Sequence, residues 1–269
     1  MMSQLIDYRV LAALSLAAIV ATVTFVPARS QKATPGATCT TPTGLTHFAR
    51  PLNRISRNLA SGKPITIVTI GSSSTAGAGA SSSSASYPSR LEAELKQRFP
   101  LRAITVINRG VNGTEVNDMI AKFEQDVVAE KPDLVIWQLG TNSVLRDRTL
   151  TDAPKVINEG LAKLKAMGAD VILVNPQYAP RVIVKAEAEH MIKIISTVAS
   201  EANVNLFDRF GVMRHWRLAE NMPFSEFLSP DQLHMNDWSY ACVGKLLGGA
   251  IAEAASRPAV TATTTPVRN

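Results

Sequence analysis

The sequence predicts an α/β domain, a three-layer α/β/α sandwich around a central, mostly parallel sheet of five strands. Two observations lead there. Short runs rich in β-branched residues lie at 65–70, 104–107, 134–138, 171–174 and, more weakly, 204–207. They are almost continuously apolar, which suits strands covered on both faces. Between and after them, at 88–99, 115–129, 153–167, 182–201 and 238–256, apolar residues recur at helical spacing. Regular alternation of strand and helix implies right-handed crossovers, and hence parallel strands between helical layers.

Taken in order, the chain opens with the charge-free stretch VLAALSLAAIVATVTFV at 10–26, preceded by Arg9 and followed by Pro27 and Ala28. That is the pattern of a secretory signal, assigned to 1–28. Its 17 residues also sit at the lower limit for spanning a bilayer, so the alternative is an uncleaved anchor, the one expected contact with membrane. A periplasmic or secreted protein is expected. Residues 29–60 read as an N-terminal arm with a loose Thr/Pro segment at 33–46, residues 61–256 as one domain, and 257–269 as a flexible tail. Cys39 and Cys242 are the two cysteines, and both lie in the exported part. In an oxidising compartment they can pair, pinning the arm to the last helix. Closing a loop of about 200 residues carries an upper estimate of roughly 5 kcal/mol. The other reading leaves Cys242 as a buried thiol.

The first three strand runs each end in a segment of special composition, and a fourth such segment precedes the last helix. The first is followed by Gly71-Ser72-Ser73-Ser74-Thr75-Ala76-Gly77, within a stretch of sixteen residues of which eleven are Gly or Ser. A phosphate loop is excluded, since the second glycine falls at 77 and no lysine follows. A nucleophile elbow would need glycine where Thr75 stands. Alone, the segment reads as a flexible connector with capping hydroxyls. The second run leads into Asn108-Arg109-Gly110-Val111-Asn112-Gly113-Thr114, whose glycines serve as turn residues. The third leads into Leu139-Gly140-Thr141-Asn142-Ser143, where Asn142 alone reads as a cap. Trp137 and Gln138, just before it, read as sheet core and cleft floor. Arg214 to Arg217 reads as a solvated helix face. Before the last helix, Asp231 and His234 are three apart, so the carboxylate can accept from one ring nitrogen while the other faces outward. By itself this pair is equally a structural histidine. Sheets of this class bind ligands beyond the carboxyl ends of their strands, where all four segments fall.

Composition narrows the function. With 46% hydrophobic and 19% charged residues the chain is too apolar for a disordered protein. The net charge of +6 is spread, with no run of four basic residues, so no nucleic-acid partner is expected.

Taken jointly, the four segments resemble the SGNH branch of the GDSL hydrolases. Its blocks are Gly-Asp-Ser after the first strand, a glycine after the second, Gly-x-Asn after the third and Asp-x-x-His before the last helix. The resemblance spans about 65–255 and implies a flavodoxin-like SGNH fold for the 61–256 domain. Carried over residue by residue, it implies Ser73 as nucleophile, His234 as base and Asp231 as the group that holds the ring. It places an oxyanion hole at the backbone N–H groups of Ser73 and Gly113 and the side-chain amide of Asn142, with Gly110 the less favoured glycine. Two positions depart from the family: Ser72 stands where Asp is usual, and Ser143 where Asp often follows the Asn. They put the subfamily and its substrate in question, not the nucleophile. The implied activity is serine hydrolysis of carboxylic esters through an acyl-enzyme, by a short-chain or carbohydrate O-acetyl esterase acting on a small ester or acylated carbohydrate. No cofactor or metal is implied. A lysophospholipase or a sugar O-acyltransferase would use the same serine, and a non-catalytic carbohydrate-binding envelope module is the alternative of another class. His47, His190 and His215 are not at a strand exit beside an acid at suitable spacing, and are set aside as bases.

Overall fold

In the computed structural model residues 38–257 are described, so the signal or anchor segment 1–28 and all but the first residue of the tail lie outside the described residues. Five strands, β1 (Ile65–Gly71), β2 (Ile104–Gly110), β3 (Leu134–Gln138), β4 (Asp170–Val174) and β5 (Asn205–Phe207), form one sheet in the order β2-β1-β3-β4-β5. Every pairing is parallel, from Ile65↔Ile104 between β1 and β2 to Val174↔Phe207 between β4 and β5. The expected strands are all present. β1 and β2 each run on to a glycine, and β4 begins one residue earlier. All of β3 is buried, as its continuous LVIWQ run requires. From β1 the chain first steps outward to β2 and then returns past β1 to β3. That reversal opens a crevice beyond the carboxyl ends of β1 and β3.

The helices are α1 (Asn53–Ser61), α2 (Ser73–Ala76), α3 (Tyr87–Arg98), α4 (Val116–Ala121), α5 (Phe123–Asp126) and α6 (Thr141–Leu145), then α7 (Ala153–Ala166), α8 (Pro180–Ile183), α9 (Ala188–Glu201), α10 (Arg209–Leu218), α11 (Phe224–Phe227) and α12 (Asp237–Ser256). Several differ from expectation. α1 lies across the end of the arm assigned to 29–60, buries Ile55 and is followed by Gly62 in the left-handed region. Its first amides have no intrahelical acceptor, and Asp170 supplies one: Oδ2 accepts from the Arg54 and Ile55 amides at 2.9 and 3.0 Å. The continuous helix expected over 115–129 is broken into α4, α5 and a 3-10 turn, because Lys122 and Val127 leave the helical region. The one expected over 182–201 is split between α8 and α9, with Arg181 donating its amide to the Gln232 carbonyl at 3.4 Å. α10 follows an Asp208 cap whose side chain accepts from the Gly211 amide.

A disulfide joins Cys39 to Cys242 in α12, with the Cα atoms 5.4 Å apart. Nearby, Trp216 Nε1 donates to the Thr40 carbonyl at 3.2 Å, a second tie on the same segment. Among the described residues no helix is long and apolar enough to cross a membrane.

Candidate active site

The Ser-rich segment after β1 is not a loose connector. Ser72 is extended and α2 starts at Ser73. Gln138, the last residue of β3, places Oε1 where the Ser72 amide (2.9 Å), the Ser72 hydroxyl (3.0 Å) and the Thr75 hydroxyl (3.3 Å) all donate to it. Because a backbone N–H can only donate, this fixes which end of the Gln138 amide is oxygen. From β2, Asn108 Nδ2 donates to the Thr75 carbonyl at 2.8 Å. Gly110 lies so close to α2 that a Cβ there would stand 2.3 Å from the Ala76 nitrogen. Its glycine identity serves packing. Ser72, the first departure from the family pattern, is thus buried and paired with Gln138.

Ser73 carries its hydroxyl to His234, whose Nε2 lies 2.8 Å from Oγ. The other ring nitrogen, Nδ1, lies 2.5 Å from Asp231 Oδ2. A carboxylate accepts, so Nδ1 carries the proton, and Nε2 is left to accept from the serine. Asp231 is itself held by its own turn: Oδ1 accepts from the Ser229 hydroxyl (2.7 Å) and from the Leu233 and His234 amides (3.0 and 2.9 Å). Partial burial pushes its carboxyl up, but the His234 ring and these other donors outweigh that and hold it well below the usual carboxylate range. The His234 side chain is 16% exposed and that of Asp231 41%, so the ring is covered while the acid faces water on one side.

Asn142, near the start of α6, reaches back to the β2–α4 connection and donates from Nδ2 to the Thr114 carbonyl at 2.9 Å. The second hydrogen of that amide has no acceptor among the described residues. Gly113 has φ +78°, a conformation that favours glycine, and its carbonyl accepts from Arg146 Nη2 at 2.8 Å. Arg146 lies one turn beyond Asn142. Its other terminal nitrogen donates to Glu115 at 2.6 Å, and Glu115 also accepts from the Ser143 hydroxyl at 3.0 Å and from Arg148 Nε at 3.3 Å. Partial burial raises the Glu115 carboxyl, and the donors Arg146, Ser143 and Arg148 bring it below the ordinary value. Ser143, the second departure, therefore serves as a donor to Glu115. A cleft of about 530 Å³ opens here, its wall including Gly113, Ser143, Arg146, Leu150 and Met191.

The remaining histidines also have acids beside them, though none lies at a strand exit. His47 faces Glu253 at 3.5 Å, His190 faces Glu187 at 2.9 Å and His215 faces Glu220 at 3.3 Å. Glu187 and His190 even share the three-residue spacing of Asp231 and His234. What separates the pairs is the serine on the far side of the ring, which His234 has. Arg217 lies 5.4 Å from the centroid of the Phe224 ring, so the helix face at 214–217 is packed in part rather than fully solvated.

Residues 38–257 match the family described as non-GDSL lipase-like. The chain belongs to that family. Among curated relatives of this non-GDSL lipase-like protein, an acetylxylan esterase of Geobacillus stearothermophilus is 41% identical over 56 residues, 21% of this chain and 26% of the relative. An arylesterase of Vibrio mimicus is 32% identical over 123 residues, 43% of this chain and 58% of the relative. The chain thus spans about a quarter of one and under three-fifths of the other. Among solved structures, a two-domain esterase active on acetylated mannans superposes with a TM-score of 0.69 at 21% identity, over 81% of this chain and 58% of that one. TesA superposes with a TM-score of 0.58 at 21% identity, over 70% of this chain and 99% of that one. These neighbours share the fold, and the resemblance to the SGNH hydrolases stands.

Gln138, Glu115 and Arg146 escaped sequence reasoning. Gln138 closes an apolar strand and reads as floor, while Glu115 and Arg146 meet only because β2 and β3 flank β1.

Proposed function

We propose that the protein is a serine esterase that removes short acyl groups from carbohydrates through an acyl-enzyme. The observation that carries this reading is the continuous chain Asp231–His234–Ser73, with the imidazole in the tautomer that leaves Nε2 basic. In the first step the Ser73 oxygen bonds to the ester carbonyl carbon as its proton passes to His234 Nε2. The carbonyl π-electrons move onto oxygen. That charge needs donors already in place, and the Ser73 amide, the Gly113 amide and the free hydrogen on Asn142 Nδ2 are assigned to it. The oxygen of the alcohol then leaves, taking the proton from Nε2. Water repeats the sequence on the acyl-serine, giving its proton to Nε2 and releasing acid and free Ser73.

The carbohydrate part of the reading rests on relatives and structural neighbours that include an acetylxylan esterase and an esterase active on acetylated mannans. An exported location is supported by the signal pattern at 1–28 and by the disulfide, a bond favoured in oxidising compartments. Purified protein with a chromogenic acetate ester and with acetylated xylan and mannan, beside Ser73→Ala, tests the proposal. The expected result is acetate release by the wild type and a loss of roughly 10⁴-fold or more in turnover for the variant, with thermal unfolding unchanged. Equal rates in the two proteins would overturn the assignment.

A further inference from the structure

Beneath the loops that bear Asn142 and His234 lies a buried polar cluster with no part in the chemistry above. Arg209, the first residue of α10, is 1% exposed. Its Nε donates to the Asn175 carbonyl at 3.0 Å and its Nη2 to Gln177 Oε1 at 2.9 Å, while Nη1 has no partner. No carboxylate among the described residues pairs with this guanidinium. Burial pushes it down to about 10, the cost of an unpaired interior cation.

The object that Arg209 holds is Gln177, which is fully buried. Gln177 Oε1 also accepts from the Thr141 hydroxyl at 3.0 Å, and with two donors on that oxygen Nε2 must be the other end. It donates to the Leu233 carbonyl at 3.2 Å. Thr141 immediately precedes Asn142, and Leu233 immediately precedes His234. One amide on the β4 exit therefore holds the backbone neighbour of the base and is itself held from beside Asn142. The bonds from Asp231 to its own turn shape the 229–235 loop but do not attach it to the sheet. Gln177 supplies an attachment at the residue next to the imidazole.

We propose that Gln177 is a positioning residue, whose Nε2–H keeps the Leu233 carbonyl in place so that His234 stays within hydrogen-bonding reach of Ser73. This rests on the roles given to Ser73 and His234 above. Arg209 supports it by fixing the orientation of the amide, which explains a cation buried without a counter-ion. Misplacing a reacting group by about 1 Å can cost on the order of 100-fold in rate.

Gln177→Glu separates this role from a structural one. The new side chain has the same shape, still accepts from Arg209 and Thr141, and gives the guanidinium a counter-ion. In place of the donor to Leu233 it presents a second carboxylate oxygen, which cannot donate. The expected result is a fall in kcat of about 10- to 100-fold on the chromogenic acetate ester, with KM within about twofold and Tm no lower than wild type. Gln177→Met, which removes the donor without adding charge, lowers kcat comparably. Wild-type kcat in either variant overturns the proposal, as does a Gln177→Glu protein with a lowered Tm. A kcat deficit that vanishes at alkaline pH also overturns it, since the carboxylate would then be acting on the ionisation of the imidazole. Ser73→Ala in the same assay keeps the two readings apart. An active Ser73→Ala protein refutes the site itself, whereas an inactive one beside a normal Gln177→Glu protein refutes only Gln177.

Discussion

At the amino ends of β3 and β4, Asp133 accepts from the Thr66 amide at 3.0 Å and Arg54 Nε at 2.8 Å, and Asp170 accepts from two amides of α1. At the carboxyl end, Asp231 and Glu115 gather donors in the same fashion. The device is one, a carboxylate that collects several N–H or O–H groups, and its consequences differ. Around Asp133 and Asp170 the donors tie α1 to the sheet and β1 to the entry of β3. At the other end the donors face two ways: the His234 ring goes on to Ser73, and Arg146 goes on to the Gly113 carbonyl. A carboxylate that orients a reactive group is recognised by what its donor touches next. The surroundings differ in sign as well. Burial dominates at Asp170 and raises its carboxyl despite the amides of Ile55 and Arg54, whereas at Asp231 the donors win and lower it.

Three measurements press on that contrast. Asn142→Ala removes a donor at the carboxyl end and is expected to cut kcat by roughly 100- to 1,000-fold while Tm stays near wild type. An unchanged rate would refute the oxyanion-hole role proposed for Asn142. Asp170→Ala does the reverse: two amides at the start of α1 lose their acceptor, so denaturant unfolding should show a loss of about 1–3 kcal/mol with kcat unaltered in the folded fraction. A variant equally stable but slow would erase the distinction between the two ends.

The smallest effect is in pH. The folded carboxyl of Asp231 lies below its unfolded value, so its contribution to stability is present above the ordinary carboxylate range and is lost as pH falls towards the folded value. For Asp170 the folded value is raised and the sign is opposite. Its contribution is present at acid pH and is lost as pH rises through that raised value. Stability profiles of Asp231→Asn and Asp170→Asn, each subtracted from wild type, should slope in opposite directions: the Asp231 difference rises with pH up to the ordinary carboxylate range and is flat above it, and the Asp170 difference falls with pH just above that range. Parallel slopes would contradict the assignment.

The sheet was legible in the sequence because β1, β3 and β4 are buried almost throughout and leave continuous apolar runs, while the edge strand β2, buried only at Ile104, was marked by its β-branched residues. The residues of the proposed site stood out because each follows a strand run within a few residues or precedes the last helix. Chain order alone puts Ser73, Gly113, Asn142, Asp231 and His234 at one end. Local spacing was much less informative. Glu187 and His190 repeat the spacing of Asp231 and His234, and only the sheet order decides which histidine meets a serine. Helices were misread where apolar spacing continues through a break, as at Lys122, or where a helix buries a single side chain, as α1 does with Ile55. Glu115 and Gln177 left no signal and Gln138 was legible only as cleft floor, since their partners are brought to them by topology from tens of residues away.

The bond between Cys39 and Cys242 makes one covalent circle of the chain between them, 203 residues apart, and Ser73, Gly113, Asn142, Asp231 and His234 all lie on its circumference. A protease that cuts any surface loop between the two cysteines therefore opens the circle without releasing a fragment. The nicked protein runs as a single species until a reductant is added, and every piece of the site stays tethered to the rest in the meantime.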